Sequence, residues 1–532
     1  MCGHGRVDRS KHAFAGAIAA VSIAVAGCTA VVATPTGTRP SPVFSPSPSS
    51  SESSTPIWCD DGPDAFTPIA SCVTPTDGLL PTPTGTPTQT PAPTPTLPPG
   101  LATLPPTVPW HGKTFYSPPS GTGSRLIGLG PDDTVYVLLE RPLPASKAAP
   151  TGLLGIPDVQ ASIIALRPDG SRKAGWPRAG VVVSGFPLSF KVGGDGTVFV
   201  ATSQNPYVDY PQTFSRLTIT AIGTNGKVLP GWPYTSPAAQ QYLDPELLVT
   251  GPGGTVCFVN VKPGVDTSGY DVPMDIYCVG RNGKLLPGWP YASAHPLGNL
   301  AVGPDGTVYV AQRTSSEIPT VSPYAFPYQV LAIAPNGRAK QGWTPWARSD
   351  SQGIAKIVPT ADGRVYMLLG GDGGKAQLVW LDRTGKAVAH HTEMASMLPW
   401  PNYKDATLAS DGSLYVAVDG GTDLDFVNAY KSDGSQMSGW PQQIGGWGDI
   451  AVGPQGSVWV EWTVYGANDA SLETSAVALF DRSGTLQAGY PMASLFLIEY
   501  NGDGLCVSST GTAYATEGAT AAAGSRIVSF GG

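Results

Sequence analysis

Charge is scarce in this 532-residue chain. Asp, Glu, Lys and Arg make up 13% of it, and the 31 basic residues fall short of the 39 acidic ones, for a formal net charge of −8. Such a chain offers no basic face for nucleic acid. Uninterrupted helix formers are missing as well. With 66 Gly and 54 Pro, neither a coiled coil nor an all-helical bundle fits, because each breaker costs about 1–3 kcal/mol inside a helix. Histidine is sparse: beyond the first residues only His111, His295, His390 and His391 occur. No HxxxH or HExxH spacing and no zinc-type Cys/His cluster appears, so metal catalysis has no local motif. The GTGSRLIG string (121–128) lacks the setting of a nucleophile elbow. Only one apolar run is long, residues 13–26, and it is shorter than a membrane span.

That run has the form of an address. Arg6, Arg9 and Lys11 precede it, as in a secretory signal. It ends in Val25-Ala26-Gly27-Cys28, which resembles a bacterial lipobox. The resemblance implies a signal peptide over 1–27 and lipidation of Cys28. The mature chain, of net charge −10, is then expected outside the cytoplasm, lipid-anchored to the bacterial cell membrane. A diacyl anchor holds firmly, at about 0.8 kcal/mol per buried CH₂.

Residues 28–108 change character. Between 29 and 108 stand 19 Pro, 17 Thr and 9 Ser, with Arg39 the only basic residue. Too few apolar side chains remain to offset the entropy of ordering, so the segment reads as a disordered Pro/Thr/Ser-rich stalk. At about 3.1 Å per residue a stiff form reaches on the order of 200 Å, and its composition resembles O-glycosylated stalks. Cys59 and Cys72 interrupt it. In a secreted setting they are expected to close a small disulfide loop.

From residue 109 onward the chain repeats eight times. One element is a Gly/Asp turn leading into an alternating strand: GPDDTVYV (130–137), GGDGTVFV (193–200), GPGGTVCFV (251–259), GPDGTVYV (303–310), ADGRVYM (361–367), SDGSLYV (410–416), GPQGSVWV (453–460) and STGTAYA (509–515). A second is a short apolar strand entering a Gly-containing turn, such as IIALRPDG (163–170), ITAIGTNG (219–226) and VLAIAPNG (330–337); the final copy is RIVSFGG (526–532). Asn-Gly and Asp-Gly between such runs are strong hairpin signals. Six residues past the turn glycine comes an aromatic: Trp176, Trp232, Trp289, Trp343, Trp440 and Tyr490. The fifth repeat has His391 there. A constant offset from a turn means a constant place in the fold, and these aromatics are expected to pack between neighbouring units. About 50 residues with four short strands make a β-propeller blade. The expected fold is all-β: an eight-bladed β-propeller of four-stranded blades over 109–532, with strand D carrying the Gly-Trp-Pro. The last blade lacks a strand D, so GKTFYS (112–117) is expected to supply it and close the ring.

The glycine turn, Tyr-Val strand, Ala-Leu strand, glycine turn and Trp resemble the repeats of the pyrroloquinoline-quinone-like propeller superfamily. Its members include quinoprotein dehydrogenases and an eight-bladed outer-membrane assembly lipoprotein. Members of that family usually place the Trp four residues after the turn glycine rather than six. A propeller with LPGWP turns, similar to secreted FG-GAP-type repeats, is the alternative. Quinone-dependent dehydrogenases that resemble this fold need a catalytic Asp, calcium and often adjacent cysteines. No Cys-Cys pair is present, and no cofactor or metal is expected. Cys257 and Cys278 fall on strands B and C of one blade and are candidates for a disulfide; Cys506 has no evident partner. The nearest strings to a DxDxDG calcium loop, GGDGGK (370–375) and YNGDG (500–504), carry one carboxylate each, where a hard cation needs several oxygens. They read as turns.

Long, dissimilar B–C and D–A connections share one face of a propeller, and variable loops on a regular scaffold carry function. Tyr207, Asp209, Tyr210, Tyr324, Phe326, Trp400 and Trp447 are the candidate ligand-binding residues, with Asp244 a further carboxylate. Aromatic rings beside carboxylates suit glycan stacking or peptide capture. The expected function is a monomeric, membrane-anchored binding or scaffold module for an envelope protein or glycan. The alternative is a quinone-linked dehydrogenase or a glycan-acting enzyme.

Overall fold

The computed structural model describes residues 105–531, except 110–111, 143–158, 184–185, 204–213, 238, 241–247, 263–271, 315–326, 349–351, 372–376, 393–401, 420–424, 465–473, 495–503 and 519–524. The described residues are all β, with no α-helix. They form eight antiparallel blades of at least four strands, joined in a ring. The blades span 123–183, 186–235, 248–292, 297–348, 352–392, 402–443, 447–494 and 505–530. In the first seven, strands A to D run outward from the centre in chain order.

The ring closes through the segment ahead of blade 1. Lys113–Tyr116 pairs antiparallel with Arg526–Phe530 and supplies strand D of blade 8. Val108–Pro109 pairs parallel with Met492–Ser494 as a fifth strand on blade 7. One short stretch therefore straps two adjacent blades, and each otherwise free edge gains a partner.

The core is not one cluster but eight, one in each seam between neighbouring blades. Strand B supplies an aromatic to most seams. Tyr136, Phe199, Phe258, Tyr309, Tyr366, Tyr415, Trp459 and Tyr514 are nearly fully buried. The repeat tryptophans lie against these rings, edge to face, as in Tyr415–Trp440 at 5.5 Å between centroids and Phe199–Trp232 at 5.7 Å.

Four of these Trp also reach the next blade. Nε1 of Trp176, Trp232, Trp289 and Trp440 donates to the carbonyl of Thr224, Arg281, Pro335 and Arg482, at 2.7 to 3.1 Å. All four acceptors lie in the C–D turn of the following blade. The turn glycines have to be glycine for two reasons. Gly283 has φ +72°, and a Cβ there would lie 2.2 Å from the Gly231 carbonyl oxygen. The Gly-Trp-Pro glycine of one blade and the turn glycine of the next thus touch backbone to backbone.

Two details differ from expectation. The Trp-Pro lies in a turn ahead of strand D rather than on it. Strand C first folds back through a single bridge, as in Val279↔Leu285. The Trp289 N–H then closes a turn on the Leu286 carbonyl, and strand D of that blade begins only at Tyr291. Proline has no N–H to give to a strand ladder, so it sits where none is required. Blade 5, which lacks the aromatic, fills the seam from strand C. Trp380 stands where most blades have a small residue (Ala165, Ala221, Cys278, Ala332, Ala429). It packs edge-on against Tyr366 and Tyr430 at 5.6 and 5.5 Å. Its ring covers Gly434, the turn glycine of blade 6. The Trp343 indole instead donates to Val330 of its own blade, and Tyr490 packs edge-on against Trp459.

Cys257 and Cys278 are directly opposed on strands B and C and form a disulfide with Cα atoms 4.1 Å apart. Cys506, fully buried on strand A of blade 8, is also disulfide-bonded, which corrects the reading that it has no partner. Cys28, Cys59 and Cys72 lie outside the described residues.

Trp289→Ala and Trp380→Ala are each expected to lower stability by about 3–5 kcal/mol, because both empty a packed seam. Gly283→Ala should cost more than an ordinary surface change, since backbone strain adds to a backbone clash. Urea denaturation followed by tryptophan fluorescence measures all three.

Candidate functional site

The two faces of the ring differ in their connections. The A–B turn is five residues long in every blade but the third, where three residues, Pro252–Gly254, make the link. Five of these turns are closed by an Asp three residues before the strand, as where Asp195 Oδ1 accepts the Thr197 N–H at 3.0 Å and Asp305 Oδ1 accepts that of Thr307 at 2.9 Å. The Asp-Gly pairs are thus spent on turn geometry. On the opposite face the B–C connections run from five residues (372–376) to sixteen (143–158). Tyr207, Asp209, Tyr210, Asp244, Tyr324, Phe326 and Trp400 all fall in connections of that face and lie outside the described residues. Trp447 opens strand A of blade 7, opposite Thr463; its side chain is not among those described.

A groove of about 370 Å³ lies on the tight-turn face between blades 4 and 5. Its charges are already matched. Lys340 Nζ stands 3.0 Å from Asp305 Oδ2 and 5.7 Å from the Tyr309 ring centroid, and the Arg383 Nε donates to the Asp362 carbonyl. Such internal pairing leaves little net field to draw a charged ligand.

The chemistry concentrates instead around the centre. Strand A is the inner edge of each blade, so its outward N–H groups need partners from elsewhere. Several come from the preceding blade. The Ser124 N–H donates to Ser525 Oγ at 2.7 Å, that of Leu126 to Thr516 Oγ1 at 2.9 Å, and that of Ile450 to Asp405 Oδ2 at 3.1 Å. Asp405 is fully buried and is also ion-paired with Lys356 of blade 5. Buried Glu517 is likewise matched by Arg526.

Glu461 is different. It lies on strand B of blade 7, directly opposite Asp449 on strand A, toward the face with the long connections. Only 7% of it is exposed, and its Oε2 has no hydrogen-bond partner among the described residues. Burial pushes its carboxyl well above the usual carboxylate range, and the Asp449 charge across the strand pair adds to the shift. No third His, Cys, Asp or Glu joins the pair among the described residues. The sequence carried a signal here: in other blades this place is Leu138, Ala201, Ala311, Leu368 or Ala417. A glutamate in an apolar strand, at a seam position, departs from its own repeat.

No protein-family model matches the chain, and no curated protein does. Among solved structures it is similar to streptogramin B lyase at 13% identity, covering 64% of this chain and 92% of that one, with a TM-score of 0.35. Hydrazine synthase from Kuenenia stuttgartiensis matches at 14% identity over 63% and 96%, with a TM-score of 0.38. An uncharacterized protein from Listeria monocytogenes matches at 9% identity over 72% and 98%, with a TM-score of 0.39. At these values nothing about activity passes from them to this chain.

The shift of Glu461 has a sign. A carboxyl whose folded pKa is raised contributes stability that is fully present below the unfolded value and lost as pH rises through the folded one. In metal-free buffer Glu461→Gln should therefore flatten the loss of stability on the alkaline side while leaving the acid side unchanged. Thermal midpoints of both proteins from pH 4 to pH 9 make the comparison; parallel curves would contradict it.

Proposed function

We propose that this chain is an extracytoplasmic, lipid-anchored propeller that captures a protein or glycan ligand on its long-connection face. The observation that carries the reading is the asymmetry of the two faces. The A–B turns on one face are five residues long in seven of the eight blades, whereas the B–C connections on the other run from five to sixteen residues, and that face holds the Tyr, Trp and Phe residues singled out from the sequence. A rigid ring with variable loops on one side is suited to recognition, because the scaffold holds the loops and the loops set the specificity. The lipobox-like Val25-Ala26-Gly27-Cys28 supports an anchor at the membrane, and the Pro/Thr-rich stalk supports a reach well beyond it.

The test uses the mature chain with a panel of cell-wall glycans and envelope peptides, and pull-down from solubilised envelope. A ligand that binds only the folded state raises the thermal midpoint as its concentration passes its Kd. Binding should disappear when residues 315–326 are replaced by a short Gly/Ser loop and survive Asp362→Ala on the other face. A response to pyrroloquinoline quinone with calcium, and to nothing else, would turn the reading into a dehydrogenase.

A further inference from the structure

Three observations meet at the inner end of the seam between blades 7 and 8. Asp449 and Glu461 are cross-strand partners, so their carboxyls leave the same face of the sheet side by side. Glu461 is more than nine-tenths buried with Oε2 unpartnered among the described residues, and its neighbour carries the same sign of charge. Gly504, just ahead of strand A of blade 8, lies against both. The point where a Cβ would stand on Gly504 is 2.7 Å from Asp449 Oδ2 and 3.6 Å from Glu461 Oε2. Gly504 therefore packs hard against the Asp449 carboxylate, and a side chain there would have to displace it.

A buried carboxylate without a counter-charge is costly, and this chain elsewhere supplies one: Lys356 for Asp405, Arg526 for Glu517. Glu461 Oε2 has no such partner among the described residues, and Asp449 brings a second carboxylate beside it. Hard divalent cations take oxygen ligands at about 2.0–2.6 Å, and magnesium keeps several waters while bound through one or two carboxylates. We propose that Asp449 and Glu461 form a divalent-cation site in the seam between blades 7 and 8, with the backbone at Gly504 closing over it and water completing the shell.

The cation would act where the ring is joined. The strap of residues 108–116 links the same two blades at their outer edges, and the carboxylate pair links them near the centre. This reading does not depend on the ligand proposed for the long-connection face. In the YNGDG string the sequence offers one carboxylate; the fold brings two from blade 7 to the glycine that ends it.

The test takes the purified full chain, stripped with a chelator, and measures its thermal midpoint against magnesium, calcium and a sodium control of equal ionic strength. Magnesium or calcium should raise the midpoint, with an apparent Kd of about 0.1–1 mM, the range of weak sites with few protein ligands. The two arms identify the ion. Glu461→Gln replaces the carboxyl with a neutral group of the same shape, so it should fold and lose the response; Asp449→Asn should do the same. The proposal fails if neither divalent ion exceeds the sodium control, or if Glu461→Gln keeps the full response.

Discussion

The contact that carries this ring is backbone against backbone: the glycine before one blade's tryptophan set on the turn glycine of the next. Gly231 meets Gly283, Gly288 meets Gly337 and Gly439 meets Gly484. With no Cβ on either side, the two turns approach closely enough for the indole N–H to reach a carbonyl in the following blade. The indole then covers the turn and packs edge to face against the strand-B aromatic beside it. Sheet spacing, ring orientation and the angle from blade to blade all follow from that approach. A propeller has no single core to fall back on, so eight packed seams hold it together, three of them closed by this glycine pair.

Blade 5 shows that the constraint is on filled space rather than on one residue position. Where the sixth residue past the turn glycine is His391, the indole comes from strand C as Trp380, and the small residue usual there is gone. The same ring volume lies over the same turn glycine, reached from another strand. Volume-conserving exchanges of this kind are the ones packed interiors tolerate.

The polar chemistry follows from the same architecture. Inner strands leave N–H groups with no partner in their own sheet, and side chains from the preceding blade supply acceptors. Ser525, Thr516 and Asp405 do so. Glu461 and Asp449 break that pattern, because neither Lys nor Arg answers the buried Glu461 among the described residues. The seam that carries the carboxylate pair is also the one the strap of residues 108–116 spans.

Blade number and strand order were legible in the sequence because each is a local pattern repeated at a fixed period, and the closing strand at 113–116 because the last repeat lacked its own; the parallel strand at 108–109 was not. A glycine turn, an alternating strand and an aromatic six residues on are set by φ, by pleat and by hairpin length, all short-range terms. The turn role of the Asp-Gly pairs was legible for the same reason. What only the tertiary structure decided is which distant residues meet. Asp449, Glu461 and Gly504 are separated by tens of residues and by a blade boundary, and no local rule brings them together. That Trp-Pro stands before strand D, and that Trp380 substitutes across a seam, also depended on how neighbouring sheets pack. The repeat specifies one blade at a time, whereas the site belongs to the space between two.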